Sequence, residues 1–147
     1  MNDVTAFAQR LRILWISICM GGALILAIMG WMAASGQGGT LSDSAETVFY
    51  LVAVLSIGAL GAALFLIRTM ESRLLQTTSE AEAKGTIQSL GLAALATVDA
   101  SAVGSAVAAF FTGDLLVLAF GMPLFAFAAL TWPSDGRVLR WLEMGGA

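Results

Sequence analysis

The sequence IQSLGLAALATVDASAVGSAVAAFF at residues 87–111 decides the fold class. Its side chains are almost all small or apolar, and its one ionisable group, Asp99, stands at the midpoint. About 20 such residues in a helix, rising 1.5 Å each, cross the ~30 Å hydrocarbon core of a bilayer. Three further runs of the same kind lie at 13–34, 48–67 and 115–132. They are continuously apolar, whereas a membrane β-barrel needs segments of about 10 residues that alternate apolar with polar. The expected fold is therefore all-α: one transmembrane domain over 1–147, an integral membrane four-helix bundle.

The whole chain supports this. Its 147 residues are 59% hydrophobic and 12% charged, about half the charge of an average soluble domain, and the mean hydropathy is +0.88. The net charge of −3 with seven Lys and Arg leaves no basic patch for nucleic acid and no charge run typical of disorder. Run 13–34 follows Arg10 and Arg12 but exceeds the usual 7 to 15 residues of a signal-peptide core, so it reads as a retained helix. The chain has no histidine and a single Cys19. Imidazole-ligated metals, haem held by histidine, and Ser-His or Cys-His dyads are excluded, and Cys19 reads as a small packing residue. No cofactor or metal is expected.

The cations set the orientation. Arg10 and Arg12 precede the first run, Arg68, Arg73 and Lys84 lie between the second and third, and Arg137 and Arg140 follow the fourth. All seven fall on one side of the meander, which the positive-inside rule assigns to the cytoplasm, with both termini inside. The expected location is a cytoplasmic membrane of the bacterial inner type. Segment 68–86 is then a cytoplasmic loop. Its mixed charges at 71–84 suit a solvated connector or an extension of the flanking helices. The Gly/Ser-rich stretch 35–44 reads as a flexible external loop. Trp15, Trp31, Tyr50 and Trp132 stand near run ends, where interfacial aromatics belong. The tail 133–147, with Arg137, Arg140 and Trp141, reads as a cytoplasmic amphipathic segment.

Lipid gives helices no hydrophobic reason to associate, so small residues that let backbones approach mark the contacts. Run one carries Cys19, Ala23, Ala27 and Gly30, and run two Ser56, Gly58, Gly61, Ala62 and Ala63. Run three has the row Ala96, Ala100, Gly104 and Ala108 and is the expected central helix. In run four Pro123 removes a backbone donor and is expected to bend the helix.

Asp99 is the expensive residue, costing on the order of 2.5 to 3.5 kcal/mol at mid-membrane on insertion scales. Such a carboxyl serves either as an ion or proton site or as a hydrogen-bonding clamp between helices. Thr97 and Ser101, two positions away on a helix, point elsewhere, so further oxygen ligands would have to come from another helix.

Residues 48–111, with Leu60-Gly61-Ala62-Ala63-Leu64 before the polar segment and Thr97-Val98-Asp99-Ala100 after it, resemble the hairpin of the rotary ATP synthase c subunit, the proteolipid of the membrane ring. That family pairs a Gly/Ala-rich helix with a second helix bearing one mid-membrane carboxylate. The resemblance implies an oligomer built through runs two and three, with H⁺ or Na⁺ bound at Asp99. Phe65 and Ile67 interrupt the family's glycine repeat, Thr77-Thr78-Ser79-Glu80 replaces its Arg-Gln-Pro loop, and runs one and four are additional. Asp99 alone carries over as a site. The other expectation is a non-catalytic accessory subunit that holds membrane partners through its small-residue faces. No nucleophile–base pair supports an enzyme. The expected partners are the lipid bilayer with like subunits or other membrane subunits.

Overall fold

In the computed structural model, which describes residues 2–145, five helices are joined by short segments: α1 (Asn2–Ala34), α2 (Ala45–Leu74), α3 (Glu80–Thr112), α4 (Met122–Leu130) and α5 (Asp135–Met144). Among the described residues the chain is all-helical. Helices α1, α2 and α3 are long and apolar enough to cross a membrane, whereas the fourth run is broken. Residues 146 and 147 of the 133–147 tail lie outside the described residues.

Local chemistry sets the helix ends. Ser79 caps α3 by accepting a hydrogen bond from the Glu82 amide at 3.3 Å, so Ser79 and Glu82 stand at the spacing of a capping box. At the other end Gly113 takes φ 72°, the left-handed turn that stops a helix at no steric cost. Segment 68–86 is a loop only at its centre, because α2 runs on to Leu74 and α3 begins at Glu80. The stretch 35–44 is not a free loop either. Its Gly39 and Leu41 amides donate to the Phe110 and Phe111 carbonyls at 2.9 and 2.8 Å, satisfying acceptors that the end of α3 would otherwise leave open. Gly38 lies so close to the Phe110 carbonyl that no side chain fits there.

Run 115–132 differs most from expectation. Instead of one bent helix it is a 3-10 helix, Leu115–Gly121, followed by the nine-residue α4. Pro123 lies in the first turn of α4, where a missing N–H costs nothing, so the proline starts a helix here. Gly121 marks the change because Leu26 and Ser105 crowd it, their side chains lying 2.8 and 3.1 Å from where a Cβ would stand. A 3-10 helix rises about 2.0 Å per residue against 1.5 Å for an α-helix. The combined segment thus reaches about 28 Å. Beyond Leu130 the chain bends by 74° into α5.

Helix α3 is the centre, packing against α1, α2, the 3-10 segment, α4 and α5. Its buried residues recur at helical spacing through Ala83, Ile87, Gly91, Ala94, Val98, Ala102, Ala106 and Ala109. The row Ala96, Ala100 and Gly104 is exposed, with Ala108 half-buried. On α2 the inward positions are Val52, Ser56, Ala63 and Met70, and Gly58, Gly61 and Ala62 face outward. Alanine is so frequent in α3 that two adjacent rows look alike; the inner row wins because Leu95 and Val98 on it fill space between neighbours. Trp15 is 1% exposed and buried within the protein, its ring resting on Gly91. Trp31, Tyr50 and Trp132 are at the surface.

At the cationic end the helices outrun the apolar core and close over a second cluster of Ala8, Leu11, Met70, Leu74, Ile87, Val138, Trp141 and Leu142. The amphipathic tail buries its apolar face there, against protein. Arg12 fastens it, donating to the Pro133 carbonyl at 3.0 Å and to Asp135 at 2.8 Å. Lys84 ties the start of α1 by pairing with Asp3 and with Glu80.

Leu142, 3% exposed in this cluster, gives the first prediction. Leu142→Ala leaves a cavity and lowers stability by about 2–5 kcal/mol, read as a lower thermal midpoint in detergent. Asp3 gives the second. Its carboxyl is held below the usual range, first by the Lys84 hydrogen bond and then by that charge, while Lys84 is pushed up by its bonds to Asp3 and Glu80. A depressed acid stabilises above its unfolded pKa and fails as pH falls through its folded one; a raised base stabilises below its unfolded pKa and fails as pH rises through its folded one. The tie is therefore complete from about pH 4 to about pH 10. Hydrogen exchange in the first turns of α1 should rise beyond its intrinsic trend below that window, and Lys84→Met should abolish the difference.

Candidate functional site

The site begins with how α1 and α3 approach. They run parallel, and each places a glycine opposite a large or polar group of the other: Trp15 of α1 lies on Gly91 of α3, and Asp99 of α3 lies on Gly22 of α1. The buried positions of α1 are Ala8, Leu11, Trp15, Gly22 and Ala33, intervals of three, four, seven and eleven that keep one helical face turned to α3. The stripe expected on α1 is displaced from this seam. Cys19, Ala23 and Gly30 are half-buried beside it and Ala27 is exposed.

Asp99 enters the seam with one oxygen. A Cβ on Gly22 would stand 2.1 Å from Asp99 Oδ1 and 3.0 Å from a Leu124 methyl, so the missing side chain is the space the carboxyl fills and α4 closes another side. Oδ1 is buried and has no hydrogen-bond partner. The side chain as a whole is only half-buried, so the carboxyl is sealed towards Gly22 and open elsewhere. Leaving a polar atom buried and unpaired costs about 1–3 kcal/mol in proteins.

The neighbouring hydroxyls are engaged elsewhere. Thr97 donates to the Ala93 carbonyl at 2.8 Å, Ser105 to the Ala102 carbonyl at 2.8 Å, and Ser101 to the Ser56 hydroxyl of α2 at 2.8 Å. Helix α3 thus has two polar sides, a hydrogen-bonded one towards α2 and an unbonded carboxyl towards α1. The notch at Gly22 that Oδ1 enters is bordered by a Leu124 methyl, and among the described residues no group of three or more His, Cys, Asp or Glu side chains could hold a metal ion. Cys19 lies one turn from Gly22 and lines a groove of about 570 Å³ between α1 and α4 with Ile16, Met20, Ala23, Phe125 and Trp132. Of the residues singled out in the sequence, the structure brings none of Gly58, Gly61, Ala62, Ala96, Ala100, Gly104 or Ala108 to the carboxyl.

Gly22 and Leu124 are the partners that sequence reasoning did not find. A signal existed for Gly22: it stands near the middle of run 13–34, as Asp99 does in 87–111, and parallel neighbours at equal depth must meet. No local pattern marks Leu124.

The fit of carboxyl to glycine makes a coupling prediction. Gly22→Ala forces its methyl onto Oδ1 and destabilises by about 1–3 kcal/mol. Asp99→Ala removes the obstacle, so the double variant should be more stable than the sum of the two separate effects implies, with a coupling of about 0.5 kcal/mol or more. Simple additivity in thermal unfolding would show that the two positions do not meet. Compared with known proteins, the chain matches no family model, no curated protein and no solved structure.

Proposed function

We propose that the chain is an integral membrane protein with four crossings, three made by α1, α2 and α3 and the fourth by the broken 115–130 segment, its cationic end in the cytoplasm. In this reading it is a proteolipid-like subunit of an oligomer or larger membrane complex, and Asp99 is its proton-binding group. The lengths and apolarity of α1, α2 and α3 support three crossings, the reach of the apolar 3-10 segment and α4 supports the fourth, and the seven-to-none sorting of cations supports the orientation. The reading of Asp99 rests on one observation, the buried and unpartnered Oδ1 facing Gly22.

A clamp would use that oxygen to accept or share a hydrogen bond, and here it makes none. A hard cation such as Na⁺ is held by several oxygens at once, and the Gly22 notch that Oδ1 enters is bordered by a leucine methyl rather than by further oxygens. A proton needs one oxygen only. Its addition or removal changes the cost of keeping the carboxyl in an apolar seam, which links titration to whether the group faces the seam or its open side.

The accessory-subunit reading draws on a different observation. The exposed small residues Ala96, Ala100 and Gly104 of α3, with Gly58, Gly61 and Ala62 of α2, leave room for the backbone of another helix.

Labelling with an apolar carboxyl-directed carbodiimide in membranes tests the assignment. The expected result is one labelled carboxyl, lost in Asp99→Asn, falling as pH rises and indifferent to Na⁺. Protection by Na⁺ would replace the proton by the cation. An unreactive Asp99, together with an Asp99→Asn variant that fails to assemble while any proton flux persists, would make the residue a clamp.

A further inference from the structure

Helices α2 and α4 both lean on the centre of the fold but do not pack closely on each other, and a long groove remains between them. Its deeper part, about 620 Å³, is lined by Leu60, Leu64, Met122, Pro123, Phe127 and Leu130. At Leu130 it meets a second hollow of about 380 Å³ at the cationic end, where the lining changes to Ile67, Glu71, Thr131, Arg137, Arg140 and Met144. An apolar channel thus ends in a charged bowl. The charges in that bowl do not cancel one another. Arg137 donates to the Leu130 and Trp132 carbonyls, capping the end of α4, while Arg140 and Glu71 are exposed and, among the described residues, are not ion-paired with each other. Two guanidiniums and one carboxylate therefore face a shared space with opposite charges held apart.

We propose that this groove binds one phospholipid with an aminoethyl phosphate headgroup. An acyl chain would lie along Leu60, Leu64 and Phe127, the phosphate on Arg140 and the free edge of Arg137, and the primary ammonium on Glu71. Guanidinium matches phosphate geometry by paired donors, and Glu71 offers a primary ammonium a charged acceptor that no anionic headgroup would use. A free phosphate would satisfy the arginines but leave the carboxylate and the apolar channel without a counterpart. The assignment rests on the proposed membrane insertion and is independent of the role of Asp99.

The test uses the full chain reconstituted in nanodiscs containing equal phosphatidylethanolamine and phosphatidylcholine, with the lipid that remains bound on extraction read by native mass spectrometry. One phosphatidylethanolamine per chain should be retained in preference to phosphatidylcholine. Arg140→Ala should weaken retention of both lipids by about tenfold, the scale of one charge-assisted contact. Glu71→Gln should keep a bound lipid but lose the preference for the primary amine. Both side chains are exposed, so neither change removes a core contact, and thermal midpoints equal to that of the parent check this. Retention unaltered by both substitutions overturns the proposal, as does displacement of the lipid by millimolar inorganic phosphate, which would make the bowl a free-anion site. Carbonate extraction separates the two readings. A chain that stays in the membrane and holds no lipid sinks the lipid site alone, whereas a chain released to the aqueous phase sinks the membrane reading with it.

Discussion

The parallel contact of α1 with α3 is the constraint from which the other positions follow. Each helix yields a glycine to the other, Gly91 beneath the ring of Trp15 and Gly22 beneath the carboxyl of Asp99. The exchange fixes register, because a slip of one turn would drive an indole or a carboxyl into a side chain. With α1 seated, the opposite side of α3 is left for α2, whose Ser56 meets Ser101. The 3-10 segment then settles where Leu26 of α1 and Ser105 of α3 converge on Gly121. A single seam thus sets the order of the bundle and puts a buried, unpartnered carboxyl oxygen at its middle.

The two halves of the molecule are held by different forces. Around Asp99 cohesion comes from close fit and a few hydrogen bonds, which in the membrane reading proposed above are the means open to helices in lipid. At the cationic end the cluster roofed by α5 resembles the core of a water-soluble domain, with Trp141 and Leu142 covered and ion pairs at the rim. Burial from water drives that half.

The all-helical character of the fold and the positions of the three long helices were legible in the apolar runs, and so was the central place of α3. Asp99 was legible because a charge in such a run has no ordinary explanation. Which alanine row of α3 turns inward was not, since small residues recur on adjacent rows and only the filling of space by Leu95 and Val98 distinguishes them. Trp15 read as interfacial because tryptophan near a run end often is; a glycine distant in sequence makes its buried place. The capping of α3 by 35–44 escaped notice because glycine-rich segments look alike whether free or bonded through their backbone. Pro123 was legible as a break, but its role as a helix start depends on the preceding turns being 3-10.

The 3-10 helix at Leu115–Gly121 has a mechanical meaning. The segment is tethered at one end by the Gly113 turn and the Asp114 cap and at the other by the grip of Arg12 on Pro133 and Asp135. Rewound as an α-helix, its seven residues would be about 3.5 Å shorter, and the chain would no longer reach between its two moorings. The stretched form is the gauge of that distance, held at its ends by these moorings and at Gly121 by Leu26 and Ser105.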